Sequence, residues 1–113
     1  MTDPIVVFPE QTAASQRAAV VGLNLQHSVA EVGIVSTAVL AAKRQRKYAL
    51  IVNDSDVVVY LNLNGDAALN AGIRLNASGG SYEISEALGN LFTGAINAIA
   101  SAGGKKLLVT EGV

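Results

Sequence analysis

The chain has 113 residues, of which 50% are hydrophobic and 15% charged, and its formal net charge is −1. That length supports one core and no second domain, and the composition excludes a disordered chain, which needs low hydrophobicity and high net charge. With no cysteine there is no disulfide, thiolate zinc site or cysteine nucleophile, and the single histidine, His27, excludes a multi-histidine metal centre.

The opening Met1-Thr2-Asp3-Pro4 lacks the basic residues and apolar run of a signal peptide. No stretch approaches the ~20 apolar residues of a membrane helix. The longest candidate, around 29–42, is broken by Glu31, Gly33, Ser36 and Thr37. The expectation is a chain made in a cytoplasm, with no membrane partner.

Pro4 and Pro9 bracket Ile5-Val6-Val7-Phe8. Each proline favours extended backbone before it, so residues 1–16 read as an apolar arm followed by a hinge. Residues 17–113 then form the folded domain. Over 17–42 the glycines Gly22 and Gly33 argue against a helix, and the bulky residues are mainly β-branched. Two strands are expected, near 18–26 and 32–40. His27 falls at a strand end or turn.

Residues 47–53 and 56–64 read as strands, and Asn53-Asp54-Ser55-Asp56 between them is a turn cluster. Together they predict a hairpin whose centre is apolar on both faces, as suits a strand buried inside a sandwich. One helical turn over 67–71 and a short extended piece over 72–75 follow. Strands are expected over 81–85, 95–101 and 106–111, with residues 102–105 as a hairpin loop. The fold expected is all-β, a β-sandwich or jelly-roll of seven or eight short antiparallel strands with an extended N-terminal arm. The core candidates are Tyr48, Leu50, Val52, Val57, Val59 and Leu61, joined by Ile84, Ile96, Leu107 and Val109.

No constellation points to catalysis. No serine sits in a Gly-x-Ser-x-Gly setting, and His27 has no triad context. Asp54 and Asp56, with Asn53 or Asn64, supply too few oxygens for calcium and read as turn formers. Gly103-Gly104-Lys105-Lys106 lacks both the spacing and the following helix of a phosphate loop. The expectation is therefore no catalytic residue, no metal and no cofactor. The four charges Lys43, Arg44, Arg46 and Lys47 are a solvated strand edge, a footprint for an acidic protein surface, or a phosphate-binding patch. The last is disfavoured because no aromatic stacking platform is interleaved with them.

The remaining signal is a set of phrases. Gln45-Arg46-Lys47-Tyr48-Ala49-Leu50-Ile51-Val52-Asn53-Asp54-Ser55-Asp56 is followed by Val59-Tyr60-Leu61 and Gly72-Ile73-Arg74-Leu75-Asn76. Then come Gly79-Gly80-Ser81-Tyr82-Glu83-Ile84, Asn90-Leu91-Phe92-Thr93-Gly94-Ala95 and Lys106-Leu107-Leu108-Val109-Thr110-Glu111-Gly112. This set resembles the small β-sandwich virion proteins of tailed bacteriophages, in particular head decoration, or cement, proteins. The resemblance implies a structural protein on the phage head surface, without catalysis. Such a protein binds the major capsid protein across subunit junctions as a homo-oligomer, with a trimer favoured. It carries no functional residues over one by one. The contact residues expected from the chain itself are Ile5, Val6, Val7 and Phe8 of the arm, and Lys43, Arg44, Arg46 and Lys47. A neck or tail component, and a glycan- or ligand-binding β-module, stand as alternatives.

Overall fold

The computed structural model describes residues 23–113. The arm over 1–16, with Ile5, Val6, Val7 and Phe8, and the first part of the strand expected near 18–26 lie outside the described residues.

Among the described residues eight strands follow one another: β1 (Leu25–Val32), β2 (Thr37–Leu40), β3 (Tyr48–Asn53), β4 (Val59–Leu63), β5 (Ile73–Leu75), β6 (Ser81–Ser85), β7 (Ile96–Ala100) and β8 (Lys105–Gly112). Among the described residues there is no helix, and so none long and apolar enough to cross a membrane. The helical turn expected over 67–71 is a turn, in which the Ala71 N–H donates to the Ala68 carbonyl at 3.3 Å.

The strands form two four-stranded sheets, sheet A in the order β1-β8-β3-β6 and sheet B in the order β2-β7-β4-β5. Every neighbouring pair is antiparallel. The order has a simple logic. β1 pairs with β8, β2 with β7, β3 with β6 and β4 with β5, as though one long hairpin had been rolled up. That is the jelly-roll, an all-β architecture built of two Greek keys.

Each loop between consecutive strands of the first half therefore changes sheet. The hairpin expected of β3 and β4 is not formed: β3 lies between β8 and β6, while β4 lies between β7 and β5. The loop over 101–104 likewise joins β7 of sheet B to β8 of sheet A and is not a hairpin loop. Short turn-rich spacing fits a sheet crossing as well as a hairpin, so the sequence pattern does not separate them. The first two strands also shift: β1 runs through His27 to Val32, and β2 begins only at Thr37.

The core lies between the sheets. Ile51 and Ile84 of sheet A, and Val59, Leu61 and Ile96 of sheet B, are fully buried there with Leu107. At ~25 cal/mol per Å², such side chains each contribute about 1.5–3 kcal/mol. On β3 the inward positions are Ala49, Ile51 and Asn53, not the expected Tyr48, Leu50 and Val52, which are half-buried on the other face. Both sets are apolar up to Val52, so alternation alone could not choose between them.

Candidate functional site

Sheet A has an outer face unlike that of a wetted sheet. Antiparallel sheets that face water usually alternate apolar inward and polar outward. Here the register sets the outward residues in rows across β1, β8, β3 and β6. The first row is Leu25, Gly112, Tyr48 and Ser85, and the second is His27, Thr110, Leu50 and Glu83. The third is Val29, Leu108, Val52 and Ser81. Val29 is 61% exposed, Leu25 46% and Leu108 42%. Beyond the third row the face ends in charge, with Glu31 opposite Lys106. The outer face of sheet B, by contrast, carries Asn62 opposite Asn97 and Tyr60 opposite Arg74.

The first two rows line a depression of about 770 Å³ together with Leu23 and Leu88 and the charged Lys47 and Glu86. Gly112 stands between Leu25 and Tyr48 in the first row, where nothing larger fits. A Cβ there would lie 2.8 Å from Leu25 Cδ2 and 3.2 Å from Tyr48 Cβ. The polar groups inside are mutually engaged. The Tyr48 hydroxyl donates to Glu83 Oε2 at 2.7 Å, and His27 Nδ1 lies 2.8 Å from Thr110 Oγ1. The hydrogen bond to Glu83, then burial, then the charge of Glu83 push the Tyr48 phenol up to about 12. Tyr48 is therefore a protonated hydrogen-bond donor at neutral pH. His27 and Glu83 stand on the two edge strands, three strand spacings or about 14 Å apart, too far for a proton-transfer pair.

The basic stretch separates into different roles. Arg46 is 1% exposed. Its Nε donates to Glu111 Oε2 at 2.8 Å, and its Nη1 donates to the Phe92 and Gly94 carbonyls, each at 2.9 Å. Its Nη2 donates to the Ala41 carbonyl. Arg46 thus joins the loop before β3, the loop before β7 and strand β8, and adds no charge to the surface. Lys43 lies 3.1 Å from Glu111 Oε1. Burial pushes the Glu111 carboxyl up, but the hydrogen bonds from Arg46 and Lys43 outweigh it and hold the group below the usual value. Arg44 and Lys47 are exposed, and only Lys47 reaches the apolar depression.

Two of the turn residues that might hold a cation, Asn53 and Asp56, are committed elsewhere. Asn53 is fully buried. It donates to the Val57 and Leu75 carbonyls, at 2.7 and 3.0 Å, and accepts from the Ser55 N–H and hydroxyl, at 3.1 and 2.6 Å. Asp56 accepts from Lys105 Nζ at 2.8 Å. Among the described residues no group of three or more His, Cys, Asp or Glu side chains is placed to hold a metal ion.

The sequence does not single out the apolar outer face of sheet A, because Tyr48, Leu50 and Val52 of β3 fit the core pattern as well as Ala49 and Ile51 do. The signal was nevertheless present: β3 is apolar on both faces, and a sandwich buries only one. Compared with known protein families, curated proteins and solved structures, the chain finds no match.

Proposed function

We propose that this chain is a structural virion protein of a tailed bacteriophage, a cement protein that decorates the head and binds the major capsid protein across subunit junctions. The observation that carries a structural role over a catalytic one is the apolar outer face of sheet A. A module with exposed leucines and valines gathered on one sheet face is suited to an assembly. The resemblance of the residues from Gln45 to Gly112 to head decoration proteins directs that role to the phage head. Arg44 and Lys47 at the surface, with Ile5, Val6, Val7 and Phe8, are the proposed contacts with the capsid.

The mechanism is mechanical. A protein that binds only the mature lattice stabilises that lattice by linkage, and many copies act together, so no single contact has to be strong. A glycan-binding module would cluster aromatics at one end of the sandwich. Tyr48, Tyr60 and Tyr82 instead stand on β3, β4 and β6, and Tyr82 packs against the core.

The test is a cryo-EM reconstruction of the source phage with this chain traced in the density. Many copies over capsomer junctions are expected. Density confined to the neck or tail would discard the decoration role, and no density in the particle would discard the virion reading.

A further inference from the structure

We propose that the outer face of sheet A is a two-fold interface with a second copy of this chain. The proposal concerns the face that supports a structural role, but it stands or falls whether or not the assembly is a virion.

The face is complementary to itself. Consider two sheets A stacked face to face about a two-fold axis parallel to the strands. Such stacking is the ordinary aligned packing of sheets, about 10 Å apart. The operation lays β1 of one copy over β6 of the other and β8 over β3, and it keeps each row opposite itself. In the second row His27 then faces Glu83 of the second copy, and Leu50 faces its Thr110. In the third row Val29 faces Ser81 of the second copy, and Val52 faces its Leu108. The larger edge side chains Leu25 and Val29 each meet a serine, so bulk on one copy meets space on the other.

The charged margin fits as well. Asp54 follows β3 directly and its N–H donates to the Lys106 carbonyl at 3.0 Å, which puts it beside Lys106 just past the apolar rows. Both side chains are exposed. The same axis sets Lys106 over Asp54 of the second copy and, by symmetry, Asp54 over its Lys106. A two-fold across the strands does the opposite. It stacks β6 on β6 and sets Glu83 against Glu83, and like charges brought together oppose association. The charge pattern therefore favours the axis along the strands over the axis across them. An isologous contact of this kind closes at two copies, not at the three that the resemblance to head decoration proteins favours.

The absence of cysteine makes the test clean. Full-length Val29→Cys and Ser81→Cys proteins are prepared separately, mixed, and treated with a short bis-maleimide. The expected product joins V29C to S81C, with little cross-linking of either variant to itself. The unmodified protein is expected to show twice the chain mass of 11.6 kDa by light scattering, falling on dilution. Leu50→Asp, on the apolar face, should weaken dimerisation by at least about tenfold with an unchanged circular dichroism spectrum. Asn62→Asp, on the outer face of sheet B, should leave the dimer unchanged. A monomer at every concentration, a trimer, a dimer that survives L50D, or preferential S81C–S81C cross-linking would each overturn the proposal.

Discussion

At the scale of single residues, Arg46 shows how far a charge can depart from the run that contains it. A guanidinium presents five donors in a rigid fork, and here that fork meets one carboxylate and three carbonyls. Removing it leaves Glu111 without its buried partner and exposes three carbonyls to an empty hole. Arg46→Ala should lose about 3–5 kcal/mol of stability, the range for breaking a buried ion pair from one side. Arg46→Lys should recover only part of this, because an ammonium cannot span acceptors in those directions. Urea denaturation measures both, and a loss under about 1 kcal/mol for R46A would contradict the account. Tyr48 allows a second measurement. Its folded value, about 12, lies above its ordinary 10.0. The stability it contributes is thus complete below pH 10 and is lost as pH rises through about 12. In an ultraviolet titration, Tyr48→Phe should remove a tyrosinate transition centred near 12. Neither role was legible in the sequence. Arg46 is one of four similar charges, and its carboxylate partner lies 65 residues away. Tyr48 sits in a strand apolar on both faces, so nothing local shows which way it points.

At the scale of elements, the step from β3 to β4 takes the chain out of sheet A for the second time. Asn53 sets that step. Facing inward at the end of β3, it holds the Val57 carbonyl on the outgoing loop and the Leu75 carbonyl at the end of β5 in sheet B. The turn chemistry at 53–56 was readable, because Asn, Asp and Ser satisfy local backbone groups there. Its consequence was not, because what separates a hairpin from a crossing is a hydrogen bond to Leu75, 22 residues on. Asn53→Asp keeps the shape, removes both donors and places a carboxyl in the core. It should cost at least about 2 kcal/mol, since a buried acceptor left unpaired costs ~1–3 kcal/mol. Thermal denaturation tests this. A melting temperature equal to that of the unmodified protein would mean that the loop path is set by something other than this side chain.

At the scale of the whole molecule, spacing and turn composition were enough to read an all-β sandwich, because short strands broken by Gly, Asn and Asp can bury their apolar faces only against a second sheet. Pairing was not readable, because the jelly-roll joins the first strand to the last. That closure makes β8 the tie of sheet A, between β1 and β3. Near its end β8 carries Glu111, which grips Lys43 and Arg46 and, through Arg46, the loop before β7. One carboxylate thus helps to close an end of the sandwich, and acid should open it. The folded value of Glu111 lies below its ordinary 4.5, so its contribution is complete above about pH 4.5 and is lost as pH falls through the folded value. Asp56, held down mainly by its hydrogen bond from Lys105, acts in the same direction. The urea midpoint should therefore be level from neutral pH to about 5 and fall steadily below about 4.5. Glu111→Gln should start from a lower midpoint at neutral pH and lose part of the acid slope, while the share due to Asp56 persists. An acid slope in E111Q as steep as in the unmodified protein would show that the closure at this end does not run through Glu111.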